Sequence, residues 1–222
     1  MENATLKFSQ RKIKKNYRSI TGHFPSIKNN TSIGFESKLE KAHFLALEFD
    51  NEVISYQEQP QIEIFFNGKN QIYSADCYIK RVKNSSKKDS IVEVKYINEI
   101  EKKKEYFERR FESAKISANK LDLDFEVYTE ENHSEIYLDN LDFLYRYKLY
   151  PIENKYENQI INLVKQNKRV SAFELANLIS QNLKDYPTIS NCIWDLVCKE
   201  KLKSDLESAK VTMNSFVELS CE

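Results

Sequence analysis

The stretch SADCYIKRVKNSSKKDSIVEVKYI, Ser74 to Ile97, decides how this chain reads. Two β-rich runs flank a polar loop, and both carry carboxylates that a plain sheet could do without. Asp76 stands in the first run; Glu93 and Lys95 stand two apart in the second. Side chains two apart on a strand point to one face, so Glu93 and Lys95 share a face and Asp76 can join them across the pair. A helix ahead of the pair offers a further carboxylate, Glu40. Crowded carboxylates repel one another and lose hydration unless a cation neutralises them. A divalent metal does so at once, and Mg2+, with Mn2+ as its substitute, takes oxygen ligands while keeping several waters. Such an ion eases deprotonation of water and stabilises charge developing on a phosphate. A nearby lysine can hold the scissile phosphate. Glu40, Asp76 and Glu93 as ligands, with Lys95 as the cation, form the constellation that hydrolysis of a phosphodiester requires. The competing reading is an exposed strand face dressed with alternating charges, since Val92 and Val94 alternate with Glu93 and Lys95.

Around this pair the hydrophobic spacing predicts a mixed α/β domain over residues 32–150. ESKLEKAHFLALEFD (36–50) repeats apolar residues at helical spacing. VISYQEQP (53–60) is β-rich and stops at Pro60. QIEIFF and QIYSADCYI flank NGKN, and Asn-Gly between alternating runs is a strong hairpin signal; the second strand continues to Arg81. IVEVKYI returns as a third strand, EIEKKKEYFERRFESAKISANKL (99–121) reads as one long amphipathic helix, and DFEVYTEE (124–131) as another strand. Glu36 lies one helical turn before Glu40, so the residues alone leave both open as the helix carboxylate. His43 falls on the apolar face of that helix and reads as a core or edge residue. Tyr73 and Tyr96 read as packing.

The chain has 222 residues with equal numbers of acidic and basic side chains. Charge is nevertheless segregated. Residues 1–31 carry seven Lys or Arg against one acid, a basic N-terminal arm in which Lys12, Lys14, Lys15 and Arg18 are the expected DNA contacts. Four cysteines without a C-x-x-C pair, and three histidines, argue against a zinc site or a disulfide framework. With three glycines, no P-loop or dinucleotide fingerprint can be written. No signal peptide or long apolar run is visible, so a cytoplasmic protein without a membrane partner is expected.

Texture changes at Pro151. ENKYENQIINLVKQN, SAFELANLISQNL and TISNCIWDLVCKE read as three helices, the second opened by a Ser-x-x-Glu capping pattern. KLKSDL and KVTMNSFVEL read as the two strands of a wing. Residues 151–222 are therefore expected to form a small winged-helix-like domain. Trp194 is expected in its core. The candidate recognition helix, 188–200, carries Asp195, Lys199 and Glu200 and little positive charge, which favours protein contact over DNA contact.

SKLEKAHFLALEFDNEVISYQEQP, YSADCYI and VEVKYI, in that order and spacing, resemble the TnsA family, the restriction-endonuclease-like subunit of heteromeric cut-and-paste transposases. The likeness covers roughly residues 15–150. It implies the PD-(D/E)xK nuclease fold, a mixed sheet flanked by helices, with Glu40, Asp76 and Lys95 as the catalytic set and Glu93 at the neighbouring ligand position. Ala75 departs from the proline common before that aspartate in the wider superfamily. The resemblance implies an endonuclease that cuts the non-transferred strand at the 5′ ends of a transposon. A DDE transposase subunit (TnsB-like) would cut the 3′ ends, and an AAA+ ATPase regulator (TnsC-like) would engage the C-terminal domain. A stand-alone restriction- or repair-type nuclease, or a non-catalytic DNA-binding adaptor, are the alternatives.

Overall fold

The computed structural model describes residues 6–8 and 20–220, and the chain divides into two compact units between Asn132 and His133. In the first unit β1 (Lys7–Phe8), β2 (Gly22–Ser26) and β3 (Thr31–Phe35) precede α1 (Lys38–Phe49). Then come β4 (Val53–Glu58), β5 (Pro60–Phe66), β6 (Lys69–Ser74), β7 (Cys77–Arg81) and β8 (Ser90–Val94). The helices α2 (Ile97–Lys102) and α3 (Lys104–Asn119) and the strand β9 (Asp124–Tyr128) complete it. The mixed α/β class is the one expected.

Its frame is a bent antiparallel ribbon. Asn67 and Gly68 both take positive φ, 52° and 78°, the two-residue turn that Asn-Gly favours. From there β5 and β4 run against β6 and β7 in one register as far as Ser55, beyond which it shifts: Gln61 faces Ser74 and Glu58 faces Cys77. Gln59, with φ of 54°, breaks the ribbon opposite Ala75 and Asp76. On one side of the bend β5 and β6 form a sheet with β1; on the other, β4, β7, β8 and β9 form a second sheet in that order. There β7 and β8 are antiparallel, and β8 and β9 parallel. The strand expected to run unbroken to Arg81 is thus two strands. The physical reason is a change of partner: Ala75 N donates to Pro60 O at 3.0 Å, whereas Asp76 N donates to Val92 O at 3.0 Å.

Packing fixes both faces. Ile62, Ile64, Tyr73, Ile91, Ala114 and Ala118 form one core between the ribbon and α3. The small residues of α3 let it lie close to the sheet. On the other side Phe44 of α1 stacks on Tyr56 of β4 at 5.4 Å, beside buried Phe24. Glu48, 1% exposed, accepts from Ser26 Oγ at 2.6 Å and Tyr56 OH at 2.8 Å. These bonds tie α1 to β2 and β4 and satisfy the carboxylate's burial.

Several local expectations shift. The first helix begins at Lys38, capped by Ser37, whose side chain accepts from Glu40 N; Glu36 lies outside it. The long helix expected over 99–121 starts at Ile97 and breaks at Lys103, which leaves helical conformation at φ −135° and ψ 41°. Residues 22–26, counted with the basic arm, are instead strand β2, paired with β3, and Phe24 is 2% exposed. Lys12, Lys14, Lys15 and Arg18 lie outside the described residues.

The second unit holds α4 (Glu135–Leu149), α5 (Glu157–Asn167), β10 (Arg169–Ser171), α6 (Ala172–Ile179), α7 (Tyr186–Cys198), β11 (Leu202–Lys203) and β12 (Phe216–Leu219). Its sheet is antiparallel in the order β10-β12-β11. The three helices after 151 form as expected, and Ser171 and Glu174 complete a reciprocal capping box. The wing strands are shorter than KLKSDL and KVTMNSFVEL, and β10 adds a third. The boundary expected near 150 falls earlier because α4 packs with the second unit: Phe143 meets Trp194 edge-on at 5.7 Å, and Tyr147 OH donates to Asn191 Oδ1 at 3.1 Å. Trp194 is core, as expected. Asp195 is not a surface charge; it is fully buried, and accepts from Lys199 Nζ at 2.8 Å and Asn154 Nδ2 at 3.0 Å.

The hairpin makes the first prediction. A β-branched side chain at the positive φ of Gly68 strains the backbone, so Gly68→Val is expected to lower stability by about 1–2 kcal/mol. A urea titration of the two proteins checks it, and an unchanged midpoint would contradict the turn assignment.

Candidate active site

Asp76 sits at the bend, next to Cys77, which opens β7 opposite Val92 of β8. Just before that pair, Asp76 N donates to Val92 O at 3.0 Å, which brings Asp76 beside the end of β8 that carries Glu93. The backbone of β8 grips the side chain: Val94 N donates to Asp76 Oδ2 at 2.7 Å. Glu93 and Lys95 project from the same face, as their spacing predicts, and Lys95 Nζ lies 3.6 Å from Glu93 Oε1. Lys95 follows the end of β8, yet its amide still donates to Tyr128 O of β9 at 2.9 Å, which holds the start of its side chain in line with the sheet.

Burial and like charge act together on Asp76. Desolvation, then the charge of Glu93, push its pKa up to about 8; the Val94 amide and Lys95 pull the other way, and Glu40 adds to the rise. Glu40 is felt at Asp76 and in turn feels Lys95, so the four residues singled out in the sequence form one electrostatic group. Burial raises the pKa of Glu40 as well, opposed by its bonds to Glu36 and Ser37.

The group is not a closed metal cage. Among the described residues no cluster of three or more His, Cys, Asp or Glu side chains is placed to hold a metal ion. Each of the three expected ligands, Glu40, Asp76 and Glu93, accepts a hydrogen bond from a neighbouring group. Glu40 Oε2 accepts from Glu36 N at 2.9 Å, which turns it toward the start of α1. Glu36, the other helix candidate, supplies that amide from outside the helix.

One residue of the site escapes the sequence reading. Tyr73 was expected to be packing, and its ring is indeed 1% exposed. Its hydroxyl, however, donates to Glu93 Oε2 at 2.6 Å. The contact crosses from β6 in one sheet to β8 in the other, and no local periodicity carries it; the bend alone brings them together. His43 lies in a buried aromatic setting, its ring 4.5 Å from that of Tyr128, in keeping with a core residue.

A bent mixed sheet that presents Asp76, Glu93 and Lys95 from neighbouring strands, with a helix glutamate close by, is a restriction-endonuclease-like fold. Residues 50–130 match the family described as TnsA-like endonuclease N terminal. That segment, a little over a third of the chain, is similar to an endonuclease domain of the TnsA kind. The matched segment holds Asp76, Glu93 and Lys95; Glu40 precedes it. No curated protein matches the chain. No helix among the described residues is long and apolar enough to cross a membrane.

The raised pKa of Asp76 sets a pH dependence for the metal-free protein. Between the ordinary aspartate range and about 8, the folded state holds a proton that the unfolded chain has released. Stability from this group is therefore fully present at low pH and falls as pH rises toward 8. Asp76→Asn, neutral throughout, is expected to melt higher than the parent at pH 8 in chelator and to flatten that decline. Thermal unfolding between pH 5 and 9 measures both; equal slopes in the two proteins would refute the linkage.

Proposed function

We propose that the protein is the metal-dependent endonuclease subunit of a cut-and-paste transposase, cleaving the non-transferred strand at the 5′ ends of the element. The observation that carries this reading is Asp76, held by the Val94 amide, in the electrostatic reach of the Glu93–Lys95 pair within a segment that matches the TnsA-like endonuclease family. The donor set suits a hard divalent cation: burial, and after it the charge of Glu93, push a proton onto Asp76, which a bound cation would displace. Asp76 and Glu93 would hold Mg2+ or Mn2+ directly, with Glu40 completing the set and solvent filling other positions. Such an ion supplies Lewis acidity toward the phosphate and a lowered pKa for water.

The chain's own groups do the rest. The Val94 amide fixes the Asp76 carboxylate. Lys95, half-buried beside Glu93, offers its ammonium to the scissile phosphate and offsets the charge that grows there. The cations of the N-terminal segment, Lys12, Lys14, Lys15 and Arg18, would contact the DNA backbone. The order helix, strand, helix, helix, strand, strand in residues 157–219 supports reading the second unit as winged-helix-like. Burial of Asp195 and its pairing with Lys199 leave α7 poor in free positive charge. That favours a protein partner there, an AAA+ ATPase regulator, over a DNA groove. A DDE transposase subunit would cut the opposite strand.

A strand-specific cleavage assay tests the reading, with labelled element-end DNA, Mg2+ or Mn2+, and the protein with and without the transposase encoded beside it. The expected result is a 5′-strand nick that needs the partner and disappears in Asp76→Ala. Nicking of unrelated DNA by the protein alone would replace this reading with a stand-alone nuclease. Lys95→Ala is expected to lower the cleavage rate by at least about 100-fold while Mn2+ still binds; cleavage at the parental rate would remove Lys95 from the mechanism.

A further inference from the structure

We propose that Tyr73 is a positioning residue of the nuclease site, its hydroxyl holding one oxygen of Glu93 so that the other stays turned toward Lys95 and able to hold the metal. The inference rests on the nuclease reading above and extends it to a residue that never touches substrate. The bond from Tyr73 OH to Glu93 Oε2 is 2.6 Å, in the short range of charge-assisted hydrogen bonds. Glu93 Oε1, the other oxygen, stands 3.6 Å from Lys95 Nζ. Asp76 is treated alike: one oxygen is held by the Val94 amide at 2.7 Å. Each of these two carboxylates is thus gripped once by the fold, which fixes the direction of its second oxygen.

The donor itself is immobile. The Tyr73 ring belongs to the core that includes Ile62, Ile91 and Ala118. Phe125 meets it edge-on with centroids 6.0 Å apart, and the Arg110 guanidinium lies over it at 5.0 Å. A phenylalanine would serve the packing equally well. What the hydroxyl adds is directed at Glu93, and partners that orient a metal-binding carboxylate commonly alter affinity or activity by about 10–100-fold.

The test is a double-mutant cycle on the full chain, read by calorimetric titration with Mn2+. Tyr73→Phe, which keeps the ring, is expected to weaken Mn2+ binding by about tenfold. In a Glu93→Ala background the same change is expected to cost less than about twofold, because there is no carboxylate left to aim. In cleavage assays Tyr73→Phe should lower kcat and leave the KM for DNA unchanged. Unaltered Mn2+ affinity in Tyr73→Phe overturns the proposal and leaves the nuclease reading standing. An equal loss in both backgrounds also overturns it, since a general loosening of the core would do the same. If the parent protein binds no Mn2+, the nuclease reading falls and the proposal with it.

Discussion

At the bend of the ribbon the backbone of Asp76 faces two ways: its carbonyl accepts from Gln59 N at 3.1 Å and its amide donates to Val92 O at 3.0 Å. In a regular antiparallel pair both groups of one residue address the same neighbour. Here they are split between Gln59, the link from β4 to β5, on one side and β8 on the other. The split costs the ribbon its flatness, and Gln59 absorbs the difference with its positive φ. In exchange, the side chain of Asp76 is delivered to the edge of β8, where the Val94 amide receives it. The relation among Asp76, Glu93 and Lys95 follows from this one change of partner.

The bend also explains why the site is charged and yet stable. It lies at the margin of an apolar core whose members come from both sheets and from α3. Carboxylates placed there lose hydration, and the pKa of Asp76 rises accordingly. The fold answers with fixed donors: the Val94 amide for Asp76, the Tyr73 hydroxyl for Glu93, and the Glu36 amide for Glu40. These bonds orient the groups without fully offsetting their mutual repulsion. The pKa of Asp76 stays raised all the same, by burial first and by the charge of Glu93 after it.

Much of this was legible in particular residues. Asn67-Gly68 announced the hairpin because few other pairs accept two positive φ values in succession. Ser171 and Glu174 announced α6 through a reciprocal cap that needs only three residues of spacing. Glu93 and Lys95 share a face because a strand repeats every two residues. Other features were not legible. Helix α4 went unread although Leu141, Leu144 and Tyr145 bury at helical spacing behind a Ser134 cap. Asp195 looked like a surface charge because its partners, Asn154 and Lys199, are side chains whose approach depends on how the helices pack.

By itself the sequence determined the local geometry of this protein: where strands turn, which residues share a face, and which carboxylates and lysine stand close enough along the chain to form a site. These are short-range consequences of backbone sterics and hydrogen-bond spacing, and they reach only a few residues. The tertiary structure alone decided that the ribbon bends at Gln59 and Asp76, that Tyr73 reaches Glu93 across two sheets, and that Glu40 turns toward its own helix cap. Those outcomes depend on which backbone groups compete for the same partner and on how the core closes around them. Both are settled only when segments distant in the chain are packed together.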